Sequence, residues 1–371
     1  MDTSNVCKRC VMDSTVPGIT VYDDGTCTYC REYERRLKQI SLPDEVRAKG
    51  LSSLISQIKS AGRGKRYDAL IGLSGGLDSS YAAYIAVKHG LRLLGVHVDN
   101  GWDAPFAVSN IQKVCHSLGI ELMIETVPWE QFRDLQIAFL KASVRNAEIP
   151  TDHVITAVLY YVASKHRIRF IISGGNFVTE GVYIPQAFGH YNQDLRFIRS
   201  VHRRFGTKPL NALPTMSILG FLYYRFVYGI RVVRILDFVD YKKKEAEELL
   251  NREIGWTPYQ GKHNESVYTR FFQGYILPRK FGLDKRKLHL SALICSGQLQ
   301  RDEALKELER PFYRNEQDLK SDREEVLRKL GITDEEFESI MALPPRLDSE
   351  FPTNLWIFEI ARWLVRHGIR V

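Results

Sequence analysis

The sequence predicts an α/β fold, a doubly wound parallel sheet with an N-terminal four-cysteine zinc ribbon and a helical C-terminal region. Three observations predict it. An apolar run, Ala69-Leu70-Ile71, feeds into Ser74-Gly75-Gly76 and then into a helical pattern from Asp78: a strand, a tight loop and a helix N-terminus in one piece. The alternation of strand and helix then continues to Ile172, an order that folds as parallel strands joined by right-handed crossovers. Finally, Cys7-x-x-Cys10 and Cys27-x-x-Cys30 are two knuckles separated by sixteen residues.

With 371 residues the chain has room for a large core, and 44% hydrophobic with 26% charged residues is the balance of a soluble globular protein. The net charge of +8 suits an anionic ligand without choosing among nucleotide, nucleotide sugar and RNA. Met1-Asp2-Thr3-Ser4-Asn5 is polar and lacks the basic and apolar regions of a signal peptide, so a cytoplasmic location is expected. In that compartment the six cysteines are not expected to form disulfides.

Taken in order, each knuckle can turn two thiolates toward one point, and four thiolates close a tetrahedral Zn²⁺ site on Cys7, Cys10, Cys27 and Cys30. No ligand is spare, which makes the metal structural; an Fe–S cluster on the same ligands and a redox pair are the alternatives. Pro17-Gly18 and Asp23-Asp24-Gly25 are turns, and Ile19 to Tyr22 is expected as a short strand. Residues 31–60 read as helical, broken at Pro43, with Leu51, Leu54, Ile55 and Ile58 facing the next domain. The domains expected are a ribbon (1–35), a helical connector (36–65), an α/β domain (66–240) and a helical region (241–371).

In the loop at Ser74, two adjacent glycines turn backbone N–H groups inward and let an anion approach, and the following helix presents its unpaired N–H groups to it. Ser74 and Ser79 add neutral donors. Asp78, a carboxylate beside a phosphate site, makes sense where Mg²⁺ or the helix N-terminus holds it. The plainer alternative is a capped βα turn, and the lysine of a Walker loop is absent. Strand two, Leu91 to Val98, ends in Asp99-Asn100-Gly101-Trp102 on the carboxyl edge, where Asp99 is either a Mg²⁺ ligand or a turn residue and His97 a core or adenine-contacting side chain. A helix from Asn110 carries Cys115 among apolar neighbours, and Glu121 to Val127 is strand three. After a long helix from Thr151, strand four (169–172) runs into a second glycine turn, Ser173-Gly174-Gly175-Asn176, followed by Glu180. Residues 217–239 are aromatic and apolar, but Arg225, Arg231 and Arg234 interrupt them too often for a membrane span. They read as a buried or subunit-interface helix and a strand, with an interfacial membrane contact as the other reading. The loop from Gly255 to Ser266 gathers Lys262, His263 and Glu265, charges on a Gly/Pro loop that suit substrate contact or simply a surface. Arg270 lies on an aromatic helix, and Lys285 and Arg286 close a basic cluster able to meet a diphosphate or carboxylate. Residues 315–371 form a polar helical tail suited to packing or dimerisation, ending in an amphipathic helix around Trp356, Ile360 and Trp363.

The motif Ser74-Gly75-Gly76-Leu77-Asp78-Ser79 resembles the PP-loop of the ATP pyrophosphatases, the superfamily of GMP synthetase, asparagine synthetase, tRNA thiolases and lysidine synthetase. The resemblance implies cleavage of ATP between its α- and β-phosphates, with Ser74, Asp78 and Asp99 as catalytic residues. It implies that ATP is held by the six loop residues together with Gly174, Gly175 and Asn176, with Mg²⁺ on the phosphates. The ribbon, the loop, Ile172 to Asn176 with Glu180, and Lys262-His263 through His289 to Gln298 together resemble bacterial N-acetyl sugar amidotransferases of O-antigen and flagellin-glycan pathways. That likeness implies a nucleotide-linked N-acetylated sugar as substrate, met by Glu180, Lys262, His263, Glu265, Arg270, Lys285 and Arg286, and an acetamidino sugar as product. Residue 2 is Asp rather than a nucleophilic Cys, and no Gly-x-Cys-x-Gly surrounds Cys115 or Cys295, so ammonia is expected from a separate glutaminase subunit. A homodimer is a further expected partner. The competing reading is tRNA thiolation, although the catalytic part lacks a cysteine pair to carry sulfur, and nucleic acid is not the expected partner.

Overall fold

The computed structural model describes residues 6–40, 43–181, 190–259, 261 and 264–366. Its centre is a sheet of five parallel strands, β1 (Ala69–Gly72), β2 (Leu93–Asp99), β3 (Glu121–Thr126), β4 (Phe170–Ser173) and β5 (Arg231–Arg234), in the order β3-β2-β1-β4-β5. The three inner strands are nearly continuous apolar runs because both faces are covered. Leu70 pairs with Leu94 on one side and Ile171 on the other.

Helices cover both faces, and strand alternation sorts the core between them. Ala69 and Ile71 join Leu51, Leu54, Ile55 and Ile58 of α2 (Asp44–Ala61) and Ala82, Ala83 and Ala86 of α3 (Leu77–Lys88), while α1 (Thr28–Ile40) packs on the ribbon through Tyr29 and Tyr33. The opposite face takes Leu70, Leu94 and Ile171. On the α3 side packs α4 (Pro105–Leu118) through Ile111 and Val114, α5 (Trp129–Ala142) and α6 (Ile149–Lys165) join the opposite core, and the single turn α7 (Phe177–Glu180) follows β4. Beyond them come α8 (Leu195–Phe205), α9 (Ile218–Phe226) and α10 (Lys243–Ile254).

The aromatic helix is α11 (Val267–Phe271), continued through a π-helical turn (Phe272–Ile276) into α12 (Leu277–Phe281). Pro278 has no N–H for the carbonyl four residues back, so the turn before it widens. Then follow α13 (Arg286–Cys295), α14 (Arg301–Glu309), α15 (Glu316–Leu330), α16 (Asp334–Ala342) and α17 (Leu355–Arg366). Phe271, Phe272, Leu330 and Phe337 share one core with the sheet, so this helical region is welded to the α/β domain.

Two expectations change. The short strand at Ile19 to Tyr22 is only a single bridge, Val21 to Cys27, flanked by the Tyr22 N–H donating to the Thr26 carbonyl and the Thr28 N–H to the Thr20 carbonyl. The apolar helix near 217 forms, but no residue of α9 is buried: it rests on α6 through Phe221 and Tyr224, whose rings lie 5.6 and 5.9 Å from that of Tyr160. Leu219 and Phe226 remain 78% and 67% exposed. Among the described residues no helix is long and apolar enough to cross a membrane.

The strand order reverses between β1 and β4. In such sheets the crevice beyond the carboxyl ends of the two diverging strands is where ligands bind, and both glycine turns leave the sheet there.

Candidate active site

The two turns close on each other. Gly174 lies so near the start of α3 that a Cβ on it would stand 2.6 Å from the Ser79 nitrogen and 2.8 Å from the Asp78 carbonyl carbon. Gly75 has φ +78° and backs onto the Ala107 carbonyl, so a side chain there is excluded twice, by conformation and by space. Its carbonyl is tied from behind by Trp256 Nε1 at 3.2 Å and Asn110 Nδ2 at 3.3 Å. Within the loop, Ser79 Oγ meets the Ser74 nitrogen at 3.4 Å and Ser74 Oγ at 3.2 Å, and Ser80 Oγ donates to the Gly76 carbonyl at 2.8 Å. Gly76, extended, precedes α3 with no side-chain cap, which leaves the helix N–H groups for an anion.

Around the loop opens a cleft of about 560 Å³, lined by Ser74, Gly76, Leu77, Asp78 and Ser79 on one side and by Gly174, Gly175, Thr179 and Glu180 on the other. Val96, Val98, Ile155, Leu159 and Ile171 give it an apolar end. Tyr241 donates its hydroxyl to Asp78 Oδ1, and Thr179 Oγ1 lies 3.5 Å from Oδ2. Burial, with the Asp78 charge beside it, pushes the Tyr241 hydroxyl far above the usual tyrosine range, so it stays a donor. Glu265 arrives from the distant loop: Ser74 Oγ lies 3.5 Å from its Oε1, and the Tyr259 hydroxyl donates to Oε2 at 3.0 Å. Burial and the Glu265 charge raise the Tyr259 hydroxyl in the same way. The loop is pinned there by the Ala104 N–H donating to the Glu265 carbonyl at 2.9 Å.

At the end of β2, His97 places Nδ1 2.9 Å from the Leu73 carbonyl and Nε2 2.9 Å from Asp103. Burial opposes the imidazolium, but the Asp103 hydrogen bond and charge outweigh it and hold the pKa above the ordinary histidine value. Asp99 takes the turn role: its Oδ1 accepts from the Gly101 N–H at 2.9 Å, and Asn100 and Asp103 line the cleft in its place. The reason is the turn that follows β2: the Gly101 N–H, at a left-handed glycine, occupies the Asp99 carboxylate, and the Asp103 bridge to Ser266 carries the chain past the cleft.

Other residues expected at the site are distributed as follows. Gly75 and Asn176 stand behind the lining, Asn176 capping α7 by accepting from the Thr179 N–H at 2.8 Å. Lys285 reaches the cleft and pairs with Glu148 at 3.1 Å. Arg270 is held in a bidentate pair with Asp322 at 2.6 and 2.5 Å, and Arg286 forks onto Asp284 and donates to the Glu307 and Arg310 carbonyls. Both arginines line a second cavity beside the cleft. Lys262 and His263 lie outside the described residues. Tyr241, Tyr259, Asp103 and Trp256 are not singled out by the sequence because each reaches the site from a separate stretch of chain, and the richness of the Gly255 to Ser266 loop signals only Trp256 and Tyr259.

The four knuckle thiols are buried, and their sulfurs lie within 4.8 Å of one another, with Cys7 3.8 Å from Cys30 and Cys10 3.6 Å from Cys27. Tetrahedral Zn–S bonds of about 2.3 Å put sulfurs about 3.8 Å apart, so the donor set fits Zn²⁺. Cys295, at the end of α13, touches the cluster, its sulfur 3.8 Å from that of Cys30. Arg301 donates to the Cys7 and Cys10 carbonyls, and Tyr33 packs on Phe177 with ring centroids 4.6 Å apart. The ribbon thus braces α13 and α7, two elements that line the cleft.

Residues 51–214 match the NAD synthase family, and residues 265–364 match the C-terminal domain of WbpG-like LPS biosynthesis proteins. The first match places the α/β part in the PP-loop superfamily, and the second relates the helical region to lipopolysaccharide biosynthesis. The tRNA-specific 2-thiouridylase MnmA 2 of Fusobacterium nucleatum subsp. nucleatum is 23% identical over 187 residues, 48% of this chain and 49% of that protein. A probable mitochondrial tRNA-specific 2-thiouridylase 1 of Caenorhabditis elegans is 25% identical, covering 38% and 40%. The tRNA(Ile)-lysidine synthase of Chlamydia pneumoniae is 30% identical, covering 23% and 29%. The chain spans half or less of the length of these curated relatives. A solved NMN synthetase from Francisella tularensis is 17% identical and covers 60% of this chain and 99% of that one, at a TM-score of 0.30.

Proposed function

We propose that the protein is an ATP-dependent amidotransferase that converts the acetamido group of a nucleotide-linked N-acetylated sugar into an acetamidino group for surface-glycan biosynthesis. The observation that carries this reading is the pair of abutting glycine turns at the switch point, in a chain whose helical region matches LPS-biosynthesis proteins. An amide carbonyl is a poor electrophile, so its oxygen must first become a leaving group. The acetamido oxygen bonds to the α-phosphorus of ATP while the bond from that phosphorus to the bridging oxygen breaks and pyrophosphate departs with the electron pair. Ammonia then adds to the imidate carbon, AMP leaves with the former amide oxygen, and one ammonia proton is released to leave an amidinium.

This chain's residues bind and orient. The uncapped N–H groups of α3 and the Ser74 and Ser79 hydroxyls receive the leaving pyrophosphate, so positioning and preorganised charge supply the catalysis. Asp78 and Glu265 are hard oxygen donors at the loop and suit Mg²⁺, which would neutralise charge on the phosphates. The apolar end of the cleft suits a purine base. Ammonia would come from a separate glutaminase.

One observation favours tRNA thiolation as a second reading: two of the relatives above are 2-thiouridylases. Against it, none of the described cleft-lining residues is a cysteine, Cys115 is buried in the core and Cys295 sits against the ribbon. Incubation with ATP, Mg²⁺, ammonium and a panel of N-acetylated nucleotide sugars separates the two. Sugar-dependent AMP and pyrophosphate support the amidotransferase, whereas release that requires tRNA and a sulfur donor overturns it.

A further inference from the structure

The cleft has a neighbour. A second cavity of about 750 Å³ lies against it, and the two share Tyr259, Gly261, Gln273, Lys285 and His289 in their linings. Beyond that common wall the second cavity is walled by Phe106, Phe312, Tyr313, Arg314, Asn315 and Asp318. We infer that the second cavity is the acceptor site, holding the glycosyl part of the nucleotide sugar so that its acetamido group meets ATP at the shared wall; this rests on the amidotransferase reading.

Four features point the same way. Adenylation brings two substrates to one phosphorus, which needs two chambers meeting at the reacting atoms, and a volume of several hundred cubic ångströms matches a glycosyl group with part of its nucleotide. Aromatic faces stand beside planar polar groups: Phe106 lies 4.8 Å from Tyr259 and Phe312 5.3 Å from Tyr313, centroid to centroid, with Asn315, Asp318 and Arg314 at the rim. A pyranose presents that combination in reverse, with C–H faces that lie on rings and hydroxyls that pair with amide, carboxylate and guanidinium groups.

The shape is set in advance. Asp322 accepts from Arg270 and from the Tyr313 hydroxyl at 2.7 Å, so the inner arginine braces the wall, while the exposed Arg314 reaches Glu307 only at 3.5 Å. Arg314 is therefore the cation best placed for a sugar carboxylate or nucleotide phosphate. At the shared wall, Gln273 Nε2 donates to both Glu148 oxygens at 3.1 Å, and Lys285 Nζ donates to Oε2 at 3.1 Å. The π-helical turn is what seats Gln273 there, a buried amide and an ammonium side by side where charge on the acetamido oxygen and α-phosphate develops.

The test uses the full chain and the member of the UDP- and CMP-linked N-acetyl sugar panel that supports AMP release. Arg314→Ala and Asp318→Asn each change an exposed side chain, and the asparagine keeps an oxygen for the Asn315 Nδ2 that donates to Asp318 at 2.7 Å at the start of α15. Each is expected to raise the sugar KM and the sugar Kd, by calorimetric titration, about tenfold, while the Kd of a nonhydrolysable ATP analogue and the melting temperature stay as in wild type. Unchanged sugar affinity in both variants overturns this placement and leaves the reaction standing. A selective rise in the ammonium KM also overturns it, because the cavity would then be a path for ammonia. Absence of sugar-dependent AMP release in the wild type removes the amidotransferase reading and this inference with it.

Discussion

Gly174 shows how one missing side chain sets the site. Because its Cβ position falls on the Ser79 amide, Gly174→Ala must push the two turns apart, and ATP-dependent pyrophosphate release is expected to fall at least tenfold in a chain that still folds by circular dichroism. Asp78→Ala removes the carboxylate that Tyr241 orients; a loss of about 10²–10³ in the rate is expected, with the zinc content by atomic absorption unchanged. His97 adds a pH dependence. Its folded pKa is raised above 6.5, so its contribution to stability is complete below pH 6.5 and fades as pH rises through the folded value. Wild type should therefore exceed Asp103→Asn in urea midpoint by more at pH 6 than at pH 8. At this scale the loop from Ser74 to Ser79 is legible in the sequence because strand, turn and helix start are local. Asp103 is not: whether Asp99 or Asp103 enters the cleft depends on the Gly101 turn that engages Asp99 and on a bridge to Ser266 supplied from afar.

Among elements, the four-cysteine ribbon carries a consequence beyond its own folding. Cys295 and Tyr33 press it onto α13 and α7, and Gln298, just past α13, accepts from the Lys243 N–H and donates to the Tyr241 carbonyl. A path of contacts thus runs from the thiols to the tyrosine that holds Asp78. Cys27→Ser should lose the metal, lower the melting temperature and raise the KM for ATP together, whereas Asp78→Ala spares the first two. In the helical region the bidentate pair between Arg270 on α11 and the buried Asp322 on α15 behaves as a structural bolt: Arg270→Ala leaves a buried carboxylate without its cation, held only by the Tyr313 hydroxyl, and should cost about 3 kcal/mol in denaturant unfolding. The helices themselves are legible from periodicity, though α4 starts at Pro105 rather than Asn110 and the aromatic helix runs on through Pro278. Their partners are not, since Arg270 reads equally as a ligand for a substrate anion until Asp322 is seen beneath it.

For the whole molecule, the doubly wound order could be anticipated from alternating strands and helices, because right-handed crossovers leave few arrangements. The exposure of α9 could not, since an apolar stretch carries no record of whether a neighbour covers it. An apolar surface of that kind marks an interaction face, and the homodimer proposed for this chain predicts that Phe226→Asp lowers the mass measured by light scattering if a second copy covers it. The central claim is that one crevice, between β1 and β4, holds ATP while a sugar amide is activated beside it. Its most direct measurement is AMP and pyrophosphate release from ATP with Mg²⁺ and ammonium across N-acetylated nucleotide sugars, with mass spectrometry of the sugar. The account predicts stoichiometric AMP and pyrophosphate with a sugar product lighter by about 1 Da, as oxygen is replaced by NH; release that follows tRNA and a sulfur donor, with every sugar unchanged, would contradict it.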